Sequence, residues 1–130
     1  MKLFTEQELV LSSQAVLSHS YSPYSKFKVG AALETSRFIY VGTNIENRSY
    51  GLTVCAERVA VFSAVANRDR TFRRLALSSN TKDFITPCGA CLQVLSEFCD
   101  DLPILLVNCD GKVKKTSLKK LYPSPFVLKK

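Results

Sequence analysis

The sequence predicts an α/β fold of three layers, a central mixed β-sheet of about five strands covered by helices. Three observations carry this. The chain has 130 residues, enough for one hydrophobic core and too few to divide between two. Its apolar patterns switch between strand and helix periods in the order β-β-α-β-α-β, which calls for helices packed on a sheet. Its composition, 46% hydrophobic and 22% charged, is that of a globular domain rather than a disordered or fibrous chain. No internal repeat, low-complexity run or glycine/serine linker marks a boundary, so residues 1–130 are read as a single domain.

Each element has its own signal. Thr5-Glu6-Gln7-Glu8 has the form of a capping box, and Leu9, Ala15 and Val16 behind it suggest the apolar face of a first helix. That helix should stop before Tyr21-Ser22-Pro23, because a residue preceding proline disfavours helical backbone. Phe27-Lys28-Val29-Gly30-Ala31 alternates with period two and reads as a strand. Phe38 to Val41 reads as its partner, joined to it through Glu34 to Arg37. Ala56 to Ala66 is a helix with an apolar face, Leu75-Ala76-Leu77 a short strand, and Cys88 to Cys99 a helix opened by Pro87. Ile104 to Val107 is short enough for a buried strand. Asp110-Gly111 then makes a turn, Val113 to Thr116 a further strand, and Ser117 to Leu121 a last helix stopped by Pro123.

Several function classes are disfavoured at once. The longest apolar stretches, Val59 to Ala66 (broken only by Ser63) and Ile104 to Val107, fall well short of the roughly 18 residues of a membrane span. Glu6 and Glu8 interrupt any signal-peptide core, so a reducing, cytoplasmic setting is expected, where five cysteines do not imply disulfides. The net charge of +7 raises nucleic-acid binding. However, residues 1–100 carry only +2 of it, and the rest comes from Lys112, Lys114, Lys115, Lys119, Lys120, Lys129 and Lys130 in the last thirty residues. No interleaved aromatics of the kind used to stack bases accompany those lysines, and a solvated face is the expectation.

The cysteines carry the chemistry. Cys55, Cys88 and Cys91 fall at or near predicted helix starts, where unpaired N–H groups and the helix dipole stabilise a thiolate. In Pro87-Cys88-Gly89-Ala90-Cys91 the two thiols are three residues apart and can meet one ion. Cys55 supplies a third ligand, and three protein ligands are the pattern of a catalytic zinc. Glu57, two residues on, brings a carboxylate beside the ion. Two other readings stay open on spacing alone. One is a redox Cys-x-x-Cys, which leaves Cys55 and Glu57 without a task. The other is a structural zinc with Cys109 as fourth ligand; Cys99 is too far along its helix, about 12 Å beyond Cys91.

Three segments extend the pattern: Asn44-Ile45-Glu46-Asn47, Cys55-Ala56-Glu57-Arg58 and Pro87-Cys88-Gly89-Ala90-Cys91. Together they resemble the cytidine deaminase family, whose signature sets a zinc ligand two residues before a glutamate and follows it with Pro-Cys-x-x-Cys. The resemblance runs from Tyr24-Ser25-Lys26-Phe27-Lys28-Val29-Gly30-Ala31-Ala32 to Tyr122-Pro123-Ser124-Pro125-Phe126, and is to the small homotetrameric class acting on free nucleosides.

The resemblance implies one catalytic domain with that family's fold. It implies one Zn²⁺ per subunit on Cys55, Cys88 and Cys91, with Glu57 as catalytic proton shuttle for attack on C4 of the pyrimidine. Arg58 is expected to hydrogen-bond the ligand sulfurs and withdraw charge. Phe27, Asn44, Glu46, Tyr50 and Ala56 are carried over as substrate-binding positions. Of these, Asn44 and Glu46 clamp the ribose, Phe27 packs on the base and Tyr50 reaches a neighbouring subunit's nucleoside. Phe126 is expected to close a pocket across an interface. His19 is read as a surface residue. Leu92 stands where the family commonly has arginine, and Thr86 replaces a frequent serine.

The expected activity is deamination of cytidine and 2′-deoxycytidine in pyrimidine salvage, with no nucleic-acid or membrane partner. Another small cytosine compound, such as blasticidin S, is the nearest rival, and the sugar clamp argues against it. Polynucleotide editing and a non-enzymatic zinc module are weaker alternatives. The first needs an open groove, and the second has no use for Glu57.

Overall fold

A computed structural model describes residues 3–129; Met1, Lys2 and Lys130, the last lysine of the basic C-terminal third, lie outside the described residues. Among the described residues, five strands form one sheet in the order β2-β1-β3-β4-β5. They are β1 Val29–Thr35, β2 Ile39–Thr43, β3 Phe72–Ser79, β4 Pro103–Val107 and β5 Val113–Ser117. The helices are α1 Glu6–Ala15, α2 Ala56–Ala66, α3 Gly89–Phe98 and the short α4 Leu118–Leu121. β3 and β4 are parallel, joined by the α3 crossover, and every other neighbouring pair is antiparallel. The sheet is therefore mixed, as expected.

Two apolar layers hold it. On one face Ala32, Ala76 and Leu105 meet Leu9 of α1. On the other, Ala31, Leu33, Leu75, Leu77, Ile104 and Leu106 meet Ala60, Val61 and Ala64 of α2 and Leu92 and Leu95 of α3. Each fully buried leucine contributes about 1.5–3 kcal/mol through its area removed from water. Small residues let α1 and α2 lie close. A Cβ on Gly30 would sit 2.2 Å from Ser13 O in α1, and one on Gly42 would sit 2.5 Å from Ala56 O and 2.6 Å from Ala60 N in α2. Ser13 and Ser78 add a buried hydroxyl pair at 2.6 Å between α1 and β3.

The first strand corrects the sequence reading. It begins at Val29 rather than Phe27 and runs to Thr35, with all seven residues buried and no alternation. β1 is flanked by β2 and β3, and helices cover both of its faces, so neither side chain direction meets solvent. Glu34 and Thr35, read as loop, belong to it. Glu34 is buried and accepts from Arg74 Nε on β3 at 2.6 Å, and Thr35 Oγ1 donates to buried Asp69 at 2.5 Å. β2 and β3 are likewise displaced or extended relative to Phe38 to Val41 and Leu75 to Leu77. In α1, Thr5 Oγ1 caps Glu8 N–H at 3.1 Å as expected, but Ala15 is exposed and Ser13 is buried in its place. α2 has the expected bounds, and Cys88 and Cys99 cap α3 instead of lying within it.

Strand direction gathers one edge of the sheet. Pairing of Gly30 with Thr43 and of Val29 with Ser79 brings together the start of β1, the end of β2 and the end of β3. The segments leaving that edge carry Phe27, Asn44, Glu46 and, through the loop after β3, Thr86 and Cys88. Ligand sites of α/β sheets lie outside the carboxyl ends of parallel strands in this way.

Candidate active site

Two helix starts build the metal cluster. Cys55 is the N-cap of α2 and Cys88 the N-cap of α3, both in extended backbone, and neither sulfur caps its own helix. Cys91 follows one turn into α3 and is fully buried. The sulfurs lie 3.7 Å (Cys55 to Cys88) and 3.5 Å (Cys88 to Cys91) apart, and all three fall within 4.8 Å of one another. A tetrahedral zinc with Zn–S bonds of about 2.3 Å sets its sulfurs about 3.8 Å apart, so this donor set fits zinc without rearrangement. Cys109 is exposed and Cys99 half-buried, and among the described residues neither joins the cluster.

The electrostatics around the sulfurs are shaped by Cys91, Arg58 and burial. Cys55 is held as the thiolate by hydrogen bonding with Cys91 and by Arg58, whose Nη2 lies 3.5 Å from Cys55 Sγ. Cys91 is driven up by its bond to Cys55 and by burial, so one proton stays in the cluster until a cation replaces it. The Arg58 pKa is raised, first by its bond to Cys55, and its Nε is buried with no hydrogen-bond partner among the described residues. Glu57 is buried, and desolvation first, then the Cys55 charge, pushes its pKa up to about 7.

A cavity of about 510 Å³ opens on this cluster. Its walls include Phe27, Asn44, Glu46, Cys55, Ala56, Glu57, Thr86 and Cys88, so most residues singled out in sequence meet at one place. Ser25, Val29, Thr53 and Ile85 also line it. Sequence reasoning missed these four, although Ser25 and Val29 lie inside a segment that carries the resemblance. Tyr50 does not reach this cavity. It is 79% exposed and lines a neighbouring one of about 400 Å³ with Tyr24, Ser25, Glu46, Asn47 and Thr53. Phe126 is elsewhere, over α3, where its carbonyl accepts from Gln93 Nε2 at 3.1 Å. His19 is exposed.

Asn44 and Glu46 are largely engaged within the chain. Asn44 Oδ1 accepts from Ser20 Oγ at 2.5 Å and Val29 N–H at 3.0 Å, and its Nδ2 donates to Phe27 O at 2.6 Å. One amide hydrogen remains for a ligand. The Glu46 carboxylate accepts from the Tyr24 and Ser25 N–H groups at 3.0 and 3.2 Å and from the Ser25 hydroxyl. These bonds, led by the one from Ser25, lower its pKa and keep it ionised.

Fold and site together define a zinc enzyme of the α/β class. Residues 5–106 match the cytidine and deoxycytidylate deaminase zinc-binding region. A cytidine deaminase from Sporosarcina psychrophila is 44% identical over 122 residues, covering 92% of this chain and 90% of its own. A crystal structure of cytidine deaminase from Burkholderia pseudomallei superposes with a TM-score of 0.90 at 43% identity, over 95% of this chain and 100% of that one. A blasticidin-S deaminase from Bacillus cereus is more distant, 32% identical over 111 residues, or 78% of this chain and 79% of its own. The chain belongs to the cytidine and deoxycytidylate deaminase family.

Proposed function

We propose that this protein hydrolyses free cytidine and 2′-deoxycytidine to uridine and 2′-deoxyuridine, releasing ammonia. The observation that carries the reading is the placement of Glu57, a buried carboxylate in the wall of the same cavity that exposes Cys55 and Cys88. Cys55, Cys88 and Cys91 hold one zinc ion, which supplies the acidity that makes water a nucleophile at neutral pH. Glu57 accepts the proton of the attacking water and delivers it to ring N3, then takes the proton of the hydroxyl added at C4 and passes it to the departing amino group. Its burial raises its hold on a proton above that of an ordinary carboxylate, the direction a shuttle requires. Phe27 packs against the pyrimidine, Ala56 contacts the substrate at the start of α2, and Glu46 accepts from a sugar hydroxyl while Asn44 donates its remaining N–H.

The same walls favour a nucleoside over a nucleotide. Among the described residues no lysine or arginine lines either cavity, and the ionised Glu46 faces both. A 5′-phosphate there would meet a carboxylate and no cation. The reading extends to one catalytic domain over residues 1–130, a homotetramer with pockets shared between subunits, and pyrimidine salvage in the cytoplasm. The exposure of Tyr50 beside the cavity supports a partner subunit there.

The test is Glu57→Ala, with zinc measured in the purified protein and ammonia release followed with cytidine, 2′-deoxycytidine, deoxycytidylate and blasticidin S. The wild-type chain is expected to turn over the two nucleosides. The variant should keep one zinc per subunit and lose at least about 10⁴-fold in kcat, the upper range for a single acid–base residue. Retained turnover in zinc-loaded Glu57→Ala would overturn the mechanism, and deoxycytidylate or blasticidin S as the better substrate would overturn the specificity.

A further inference from the structure

The backbone around Phe27 is gripped from three sides. Phe27 N–H donates to Ser25 Oγ at 3.0 Å, and Phe27 O accepts from Asn44 Nδ2. The third grip comes from Asn80, the first residue after β3. Its Oδ1 accepts from Lys28 N–H at 3.0 Å, its Nδ2 donates to Lys26 O at 3.0 Å, and its own N–H donates to Lys28 O at 3.2 Å. Asn80 thus brackets Phe27, bonding the residue before it and the residue after it.

This arrangement has a clear structural purpose. The β1–β3 ladder ends where Val29 pairs with Ser79. Beyond that point the Asn80 side-chain amide offers one acceptor and one donor in place of a strand's peptide group, and carries the pairing past Phe27. The segment needs such support, because Lys26 sits at φ 62°, a left-handed conformation that residues other than glycine keep only when their surroundings hold it. Asn80 itself is exposed and lines neither cavity. Any influence on the reaction must therefore pass through the 26–28 backbone.

We propose that Asn80 is a positioning residue for the reaction, setting the place of the Phe27 ring against the pyrimidine through its bonds to Lys26 and Lys28. The inference rests on the reading of Phe27 as the aromatic that packs on the base. Because Asn80 is exposed, water takes over the broken bonds when it is removed, so the fold survives while the ring loses its fixed position. Aspartate does not substitute. It keeps an acceptor for Lys28 N–H but turns its second oxygen against the Lys26 carbonyl, opposing two acceptors.

The experiment compares Asn80→Ala and Asn80→Asp in the wild-type chain and in a Phe27→Leu chain. Cytidine kinetics, competitive inhibition by uridine, zinc content and thermal midpoint are measured for each. Removing one or two such bonds should raise the cytidine KM and the uridine inhibition constant together by roughly 3- to 10-fold, with kcat within about twofold and zinc at one per subunit. Asn80→Asp should do at least as much. In the Phe27→Leu chain, whose own KM should be raised, Asn80→Ala should add nothing further. An unchanged KM for both Asn80 variants, or the same factor in both backgrounds, overturns the positioning role and leaves the reading of Phe27 standing. A Phe27→Leu chain with wild-type KM overturns that reading and this inference with it.

Discussion

Three thiolates around a divalent ion leave a formal charge of −1, which weakens the ion as an acid compared with imidazole ligation. Arg58 answers that charge directly, with Nη2 3.5 Å from Cys55 Sγ and a buried Nε that bonds nothing among the described residues. Hydrogen bonds from such a neighbour typically matter by 10- to 100-fold in metal affinity or activity. Arg58→Ala is therefore expected to keep its thermal midpoint within a few degrees while losing zinc affinity by about that factor, read by competition with a chromophoric chelator. Arg58→Lys should not restore it, since a lysine lacks the planar fork that serves two sulfurs at once. Unchanged zinc affinity in both variants would leave Arg58 as helix surface only. At this scale the sequence was legible where chemistry is local: Cys55-x-Glu57 and Cys88-x-x-Cys91 stand out by spacing, and the resemblance to a known family chooses catalytic zinc over the redox and structural readings that spacing leaves open. It was silent on Ser20, Ser25 and Asn80, which act by bonding Asn44, Glu46 and the backbone beside Phe27. Polar residues in loops have no pattern that separates such a task from ordinary solvation.

Among the elements, α2 matters most, because its first turn carries Ala56, Glu57 and Arg58 and its cap is Cys55. Its height above the sheet is set by Gly42 in β2, where an added Cβ would lie 2.5 Å from Ala56 O and 2.6 Å from Ala60 N. Both are backbone atoms of the helix, so no side chain can swing aside. Gly42→Ala is expected to cost about 1–3 kcal/mol, the usual range for overpacking. It should also weaken zinc binding, because lifting the start of α2 moves Cys55 away from Cys88 and Cys91. Thermal unfolding and zinc titration together check this, and a stable Gly42→Ala chain with wild-type zinc affinity would show that β2 yields instead. The bounds of α2 were legible because eleven helix-compatible residues, Ala56–Ala66, run between the caps Cys55 and Asn67 with one apolar face. β1 was misplaced because Glu34 and Thr35 look like turn residues. Their partners Arg74 and Asp69 lie 40 and 34 residues away, and no local pattern reveals a polar strand end stabilised at that distance.

For the molecule as a whole, the two unexplained surface properties separate. Much of the positive charge sits at the β5 edge, where Lys114 and Lys115 are exposed and Lys115 pairs with Glu6 at 3.1 Å. Lysines on an edge strand hinder pairing with another sheet, which explains them without a nucleic-acid partner. The exposed apolar residues ask for a different cause. Leu52 is 67% exposed and Phe62 51% exposed, with Tyr50 next to the cavity. Phe62 lies five residues beyond Glu57, about 140° around the α2 axis, so it faces away from the chemistry while sharing its helix. A neighbouring subunit packed on that face would bury Phe62, contributing about 1.5–3 kcal/mol per copy, and would brace the helix that holds Cys55 and Glu57. On the proposed homotetramer, Phe62→Glu is therefore expected to shift native mass spectra from four chains to one or two. The dissociated subunits should keep their zinc but fall at least about tenfold in kcat/KM, the loss of roughly 1.4 kcal/mol of transition-state stabilisation. A variant that stays tetrameric would place the interface elsewhere on the surface. A dissociated variant with full activity would show that each chain completes its own pocket, and Tyr50 would then lose its role toward a neighbouring subunit's nucleoside.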